Sequence, residues 1–172
     1  KFSRLMRLIL ESSRNDEVSL KEDLESLELY MQLENLRMQK KVECIIHVAP
    51  EISTENILIP PMLLQPFIEN SFKHAFHEVD APKLEINISL EGEMLHCTVT
   101  DNGKGRKNVQ SIDTETREKR QSLGMTVTRE RLEIISKIKK SKAYFSFEDL
   151  MDNNQKSAGT KVYLAVPTSF AY

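Results

Sequence analysis

Cysteine, tryptophan, glycine and long apolar runs are scarce or missing in this 172-residue chain. Its two cysteines, Cys44 and Cys97, lie in apolar runs typical of strands, so we expect buried thiols rather than a disulfide scaffold. Two cysteines and four scattered histidines provide no zinc-site spacing. No apolar run approaches the roughly 20 residues that span a bilayer, so we expect no membrane contact by this chain.

The charge of the chain is nearly balanced but unevenly distributed. With 24 basic and 26 acidic residues, the net charge of -2 excludes a globally basic nucleic-acid binder, and we expect no nucleic-acid partner. Residues 101–142 carry 12 basic and 6 acidic side chains, whereas the rest of the chain is acidic. A local basic zone suits a polyanionic ligand of limited size, although a solvated helix and loop face would account for it equally well.

Hydrophobic periodicity predicts an α+β fold. Adjacent strands joined by short turns favour mostly antiparallel pairing, with helices on one face of the sheet, as in a two-layer sandwich. Ser19 and Glu22 have the spacing of a capping box at the start of a helix. The predicted elements are helices over 2–12, 20–39, 61–78 and about 127–138, strands over 42–49, 84–90, 95–99, 143–150 and 160–167, and a polar loop over 101–122.

The predicted helix that starts at Pro61 has one apolar face and one polar face. Asn70, Lys73 and His74 lie at i, i+3 and i+4 on the polar face, so an oxygen ligand, a cation and a ring project in one direction. That combination suits a metal-bound phosphate, and an ordinary amphipathic helix is the alternative. Asn is a poor helix former, which favours a functional reason for Asn70.

Glycine-containing segments follow at three further places. Asp101-Asn102-Gly103-Lys104-Gly105 comes directly after a strand, where glycines permit close ligand approach and Asp101 could accept a hydrogen bond from a base amino group. Gly124 is expected to precede a helix, whose free N–H groups would bind phosphate. Gly159-Thr160 opens the last strand. Each signal alone is weak, because turns use the same residues.

Taken together, these segments resemble conserved boxes of LytS-type sensor histidine kinases. The run from Pro60 to His74 resembles their N box, and Asp101 to Gly105 resembles their G1 box. Ser122 to Met125 resembles the G2 region, and Gly159 to Val162 resembles the closing Gly-Thr motif. The segment 27–37 looks like the helix that joins the phosphoacceptor region to the ATPase domain. The resemblance covers nearly the whole chain.

The resemblance implies the GHKL (Bergerat) ATP-binding fold, with ATP and Mg²⁺ as cofactors. Asn70 would ligate Mg²⁺, and Glu69 would assist proton removal or orient the acceptor. Asp101 would hold the adenine amino group, and residues from about 106 to 122 would form a lid over ATP. The remaining nucleotide-binding residues that it implies are Lys73, His74, Gly103, Gly105, Gly124 and Thr160.

The implied activity is transfer of the γ-phosphoryl group of ATP to a histidine, for relay to a response regulator receiver domain. Ser122 stands where the G2 region usually begins with Gly, and this departure favours one alternative, a nucleotide-binding pseudokinase or interaction module. A second alternative is another GHKL-family ATPase. Phosphoryl transfer to a supplied acceptor would discriminate the kinase from the pseudokinase.

The predicted organisation is a helical segment over 1–40 from the dimerisation region and a GHKL catalytic domain over 41–172. The chain begins with Lys1 rather than Met, so we expect an excised fragment whose phosphoacceptor histidine lies upstream. The full protein would form a homodimer through its upstream helices. We expect the chain to be a cytoplasmic part of a bacterial protein anchored in the inner membrane.

Overall fold

The computed structural model describes residues 2–12, 14–77, 79–105 and 114–171 of the chain. Helices and strands alternate irregularly along these residues, as expected for an α+β protein. In chain order the elements are α1 (Phe2–Ser12), β1 (Val18–Ser19), α2 (Leu20–Asn35), β2 (Glu43–Val48), β3 (Ile57–Ile59), α3 (Gln65–Asn70), a π-helical segment (Ser71–Ala75), β4 (Lys83–Glu91), β5 (Met94–Asp101), α4 (Thr114–Lys139), β6 (Tyr144–Met151), β7 (Ser157–Pro167) and β8 (Ser169–Phe170).

The central sheet has five strands in the order β2-β4-β5-β7-β6. Its pairs are antiparallel except β2 with β4, which is parallel. A parallel pair needs a long crossover, and here that crossover carries β3, α3 and the π-helical segment. The predicted α+β class is therefore confirmed. Among the described residues, no helix combines the length and apolar character needed to cross a membrane.

The two faces of the sheet differ in polarity. Leu84, Ile86 and Ile88 of β4 are almost fully buried in the core, whereas the intervening Glu85 and Asn87 are only half-buried. The same alternation runs along β5, where Leu95, Cys97 and Val99 belong to the core. One face is thus covered by helices and the other is polar, which is the two-layer arrangement that strand periodicity predicts.

Helix α2 packs into the same core as the sheet. Its capping box is confirmed, because Glu22 N donates to Ser19 Oγ at 3.2 Å and Ser19 N donates to Glu22 Oε2 at 3.0 Å. Its apolar residues Leu20, Leu24, Leu27 and Met31 belong to the core cluster that contains the sheet residues. Strand β1 precedes this helix and pairs with β3, which pairs with β8. The domain boundary at residue 40 stays a prediction.

The helix expected over 61–78 is shorter and less regular than predicted. The α-helical part begins only at Gln65, because Met62 has a φ of 58°, in the left-handed region that ends or prevents a right-handed helix. After Asn70 the backbone widens into the π-helical segment. Helix α2 likewise ends at Asn35 rather than near residue 39.

The second half of the loop expected over 101–122 is helical in the structure. Helix α4 already begins at Thr114, and the segment 115–121 is rich in the helix formers Glu, Arg, Lys and Gln. The rest of the predicted lid, residues 106–113, lies outside the described residues.

Candidate functional site

Asp101, the last residue of β5, is 6% exposed and receives three hydrogen bonds from residues that the structure describes. Ser71 Oγ donates to its Oδ2 at 3.0 Å. The backbone nitrogens of Gly103 and Thr160 donate to its Oδ1 at 3.0 and 3.3 Å. The end of β5, the loop that follows it, the opposite strand β7 and the π-helical segment therefore converge on one carboxylate.

The environment of Asp101 leaves it able to accept one more hydrogen bond. Burial raises the pKa of this carboxyl, and the hydrogen bonds from Gly103, Ser71 and Thr160 act in the opposite direction. An ionised carboxylate has about four acceptor positions and no donor. Since described residues occupy three of these positions, one position on Oδ2 remains among them for a donor such as an amino group.

Gly103 allows the loop after β5 to lie against the π-helical segment. A Cβ at this residue would be 2.4 Å from Ala75 Cβ and 2.6 Å from Ala75 O. Lys104 N also donates to Ala75 O at 3.1 Å. Only glycine fits such a close approach, so the sequence pattern after Asp101 has a packing reason in addition to any role toward a ligand. Gly105, with a φ of 70°, needs the left-handed region.

Glu69 and Lys73 form a half-exposed ion pair one turn apart. Lys73 Nζ is 2.7 Å from Glu69 Oε2, while Gln65 Nε2 donates to Glu69 Oε1 at 3.1 Å. Both oxygens of Glu69 are thus engaged by side chains of its own helical region. A carboxylate held in this way is oriented, and it remains accessible because its side chain is 32% exposed.

Asn70 presents its amide to α4. Its Nδ2 lies 3.9 Å from Met125 Sδ, and no described residue donates a hydrogen bond to its Oδ1. The described residues also contain no cluster of three or more His, Cys, Asp or Glu side chains that could hold a metal. An amide oxygen with few protein partners fits Mg²⁺, which takes most of its ligands from phosphate or water.

A cleft of about 450 Å³ separates the start of α3 from α4. Apolar side chains form most of its walls, with Glu69 and Arg131 as the charged members. The lining residues are Met62, Leu63, Pro66, Glu69, Gly124, Val127, Thr128 and Arg131.

Gly124 does not precede a helix, as the sequence suggested. It lies ten residues after the start of α4, so its N–H is not one of the free groups at a helix N-terminus. The expected phosphate contact through such a terminus is wrong for this residue. Gly124 instead shares the cleft with Glu69.

The candidate residues thus fall into two groups. In the first group, the backbone nitrogens of Gly103 and Thr160 both donate to the Asp101 carboxylate. Glu69, Lys73 and Asn70 lie on the neighbouring helical region, with half-buried His74 beyond them. Ser71 links the two groups, since it follows Asn70 in the chain and donates to Asp101.

Sequence reasoning missed Ser71, although a signal was present. Ser71 lies four residues after Phe67 and therefore falls on the buried face of the helix. A hydroxyl at the centre of an apolar face needs a buried hydrogen-bond partner. In the structure that partner is Asp101.

Solved structures with a similar fold decide the architecture. The histidine kinase domain of the blue-light activated histidine kinase from Erythrobacter litoralis matches with a TM-score of 0.56 and 17% identity, over 83% of this chain and 59% of that one. The catalytic domain of histidine kinase ThkA matches with a TM-score of 0.57 and 15% identity, over 88% of this chain and 94% of that one. The chain has the fold of a histidine kinase catalytic domain.

Sequence comparisons place sensor proteins among the relatives of this chain. A family model described as "Histidine kinase" matches residues 1–42. Sensor protein LytS of Staphylococcus haemolyticus is 31% identical over 122 residues, covering 66% of this chain and 20% of that protein. LytS of Streptococcus mutans is 34% identical over 104 residues, covering 60% of this chain and 17% of that protein. The chain therefore spans about a fifth of the length of these curated relatives.

The predicted resemblance to LytS-type sensor histidine kinases is confirmed by these homologues and by the fold. The family model covers α1 and α2, whereas Asp101 and Glu69 lie beyond residue 42. The assignments of individual site residues stay predictions.

Proposed function

We propose that this chain is the ATP-binding catalytic domain of a two-component sensor histidine kinase, which transfers the γ-phosphoryl group of ATP to a histidine. The observation that carries the proposal is the buried Asp101 carboxylate, which has three donors among the described residues and one acceptor position that none of them occupies. Adenine presents an amino group to such an acceptor, whereas guanine presents a carbonyl oxygen at the same place. The site therefore favours an adenine nucleotide.

Other residues of the site suit phosphoryl transfer, which depends on positioning and charge neutralisation. Asn70 Oδ1 would ligate Mg²⁺, which neutralises phosphate charge when bound. Lys73 and His74 would contact the nucleotide, with Gly105 and Gly124 beside it. Glu69, oriented by Gln65 and Lys73, would orient the acceptor imidazole or take its proton. Gly103 and Thr160 act through their backbone N–H groups, which hold Asp101 in place.

The acceptor histidine would come from a segment other than this domain. His47 is an exposed residue of β2, and His96 is a half-buried residue of β5, so neither sits near Glu69 on the helical layer. We place the acceptor upstream, on helices that form a homodimer. A response regulator receiver domain would then take the phosphoryl group, on the cytoplasmic side of a bacterial membrane.

Nucleotide titration of the chain is the first test. Calorimetry with ATP, ADP and GTP in the presence of Mg²⁺ should give tight binding of both adenine nucleotides and weaker binding of GTP. The expected gap is about ten- to hundredfold, from a charge-assisted hydrogen bond of roughly 1.5–3 kcal/mol. Equal affinity for ATP and GTP would show that Asp101 does not read the base.

Phosphoryl transfer to a supplied acceptor segment is the second test, with Asn70→Asp as the variant. The substitution adds a negative charge beside a triphosphate, so the rate of phosphoryl transfer should fall about tenfold or more. A tenfold fall corresponds to roughly 1.4 kcal/mol. Asn56→Asp, on an exposed turn before β3, makes the same chemical change away from Asn70 and should leave transfer unchanged. Unchanged transfer in Asn70→Asp would remove Asn70 as the metal ligand.

The same assay distinguishes the kinase from the main alternative, a nucleotide-binding pseudokinase or interaction module. Ser122 departs from the usual Gly of the G2 region, which favours a module that binds nucleotide without transferring phosphate. Tight Mg-ATP binding with no transfer to any supplied histidine segment would support that alternative.

A further inference from the structure

Asp23 is a buried carboxylate outside the site described above. It lies in the first turn of α2 and is only 2% exposed. Met62 N donates to its Oδ1 at 2.7 Å, and no described residue hydrogen-bonds to its Oδ2. Among the described residues, Arg131 of α4 and Cys97 of β5 interact electrostatically with it. Asp23 thus joins α2 to the turn before α3 by one short hydrogen bond.

Met62 is an unusual partner for this bond. Its φ of 58° lies in the left-handed region, which costs a residue with a side chain roughly 1–2 kcal/mol. Only Leu63 and Leu64 separate Met62 from the start of α3, and both are almost fully buried. A displacement of Met62 would therefore carry over to α3, which bears Glu69 and Asn70.

A carboxylate at this place in the core is energetically unfavourable compared with an apolar side chain. A buried charge costs more free energy than an apolar side chain of similar size unless it is paired and fully hydrogen-bonded, and no described residue hydrogen-bonds to Asp23 Oδ2. Burial raises the pKa of Asp23 to about 6, and the bond from Met62 and the charge of Arg131 act in the opposite direction. Near neutral pH the group is still largely ionised, and an ionised acceptor binds an N–H more strongly than a neutral one.

We propose that Asp23 is a positioning residue, which through Met62 couples the placement of α2 to the placement of Glu69 and Asn70. Met62 and Arg131 both line the cleft that contains Glu69, so the same contact also shapes the wall of that cleft. The part of the proposal that concerns phosphoryl transfer rests on the function proposed above.

Two variants and one control test the coupling. Asp23→Ala removes the acceptor, and Asp23→Asn keeps an acceptor oxygen but removes the charge. Ser26→Ala is the matched control, because Ser26 lies one turn further along the buried face of α2 and its Oγ has no hydrogen-bond partner among the described residues. Hydrogen exchange and amide chemical shifts, followed by NMR across pH, report on the coupling without any nucleotide.

In the parent chain, the Met62 amide shift should titrate with a midpoint near the pKa of Asp23, and Asp23→Asn should abolish that step. Asp23→Ala should raise amide exchange about tenfold over 62–75 while β4 and β5 stay protected. Ser26→Ala should change neither. A Met62 shift that ignores pH, or an exchange increase spread evenly over the sheet, would overturn the proposal and leave Asp23 with a purely structural role.

Transfer kinetics then test the consequence for the site, with an acceptor segment supplied. Asp23→Ala should lower kcat about tenfold and change KM for ATP by less than about threefold. In Asp23→Asn the decrease in kcat should be smaller, because an acceptor oxygen is kept. Equal kcat in the parent and Asp23→Ala would contradict the coupling. If the parent itself neither binds nor transfers phosphate, the proposed function fails, whereas the NMR measurements still decide the role of Asp23. If Asp23→Ala does not fold, Asp23→Asn and the pH titration of the parent still test the coupling.

Discussion

Asp101 and Asp23 are both buried aspartates, but their surroundings differ. Asp101 receives hydrogen bonds from Ser71, Gly103 and Thr160, which belong to three separate segments. Among the described residues, only Met62 donates a hydrogen bond to Asp23, and the charge of Arg131 acts on it from α4. Burial raises the pKa of both carboxyls. The first carboxylate is held in a fixed orientation, and the second is held mainly by a single bond.

The comparison indicates that a buried carboxylate, whose desolvation costs free energy, can serve two different functions. Three donors fix Asp101 at the end of β5 and leave one acceptor position, which is what a recognition group requires. One donor from a strained turn makes Asp23 a link between two elements, because the bond changes if either element moves. A carboxylate that recognises a ligand needs several hydrogen-bond donors to fix its orientation, whereas a carboxylate that couples two elements needs few. Variants of each aspartate and of its partners test this distinction.

The largest expected effect is on the pH dependence of stability through Asp23. Its folded-state pKa of about 6 exceeds the ordinary value of 3.8, so the folded protein holds this proton more tightly than the unfolded chain does. Its contribution is therefore fully present below pH 4 and is lost as pH rises through 6. The difference between parent and Asp23→Asn in free energy of unfolding should change by roughly 3 kcal/mol across this range.

Urea unfolding of both proteins at several pH values measures that difference. Other carboxyls titrate in both proteins and cancel when one curve is subtracted from the other. The free energy of unfolding of Ser26→Ala should change with pH in the same way as that of the parent. A parent curve and an Asp23→Asn curve that stay parallel between pH 4 and 7 would show that Asp23 does not titrate in this range.

The next effect is the loss of base recognition in Asp101→Asn. The substitution replaces one acceptor oxygen by an N–H₂ donor among three existing donors, so at least one hydrogen bond is lost. Affinity for ATP should fall about ten- to hundredfold, and the gap between ATP and GTP should narrow. Calorimetry with both nucleotides measures this, and an unchanged ATP affinity would reduce Asp101 to a turn residue.

Much of this architecture follows from local patterns in the sequence. Alternating apolar residues predict β4 and β5, and Ser19 with Glu22 predicts the start of α2, because these signals depend only on neighbours in the chain. The glycines after Asp101 mark a close approach, and the structure adds that Ala75 is what Gly103 approaches.

What the sequence did not predict depends on contacts between distant segments. The left-handed backbone of Met62 is stabilised by Asp23, 39 residues earlier, so no local pattern announces the late start of α3. Helix α4 runs through Gly124 because the segments 115–121 and 129–133 on either side are rich in strong helix formers, which outweighs a glycine cost of roughly 1 kcal/mol. Asp23 and Ser71 are polar residues on apolar helix faces, a signal that only a search for buried partners would use.

A smaller effect is expected when one of the three supports of Asp101 is removed. Ser71→Ala deletes the donor to Oδ2 and leaves the Gly103 and Thr160 bonds in place. A hydrogen bond of this kind contributes roughly 1 kcal/mol, so ATP affinity should fall about fivefold. Since the Ser26 hydroxyl has no such partner among the described residues, Ser26→Ala should leave ATP affinity unchanged. Equal ATP affinity in Ser71→Ala and the parent would mean that two donors suffice to orient the carboxylate.

The smallest effect on stability is expected at Lys73, whose carboxylate partner Glu69 is partly exposed, unlike the two aspartates. An exposed ion pair between residues i and i+4 contributes about 0.3–0.5 kcal/mol, so Lys73→Ala should change the free energy of unfolding by no more than about 0.5 kcal/mol. Lys21→Ala is the control, because Lys21 forms a similar exposed pair with Glu55. Both variants should unfold alike in urea, whereas only Lys73→Ala should weaken Mg-ATP binding, and less so at high salt, where its contact with phosphate is screened. If both variants bind Mg-ATP as the parent does, Lys73 serves only to orient Glu69, and recognition rests on the Asp101 side of the site.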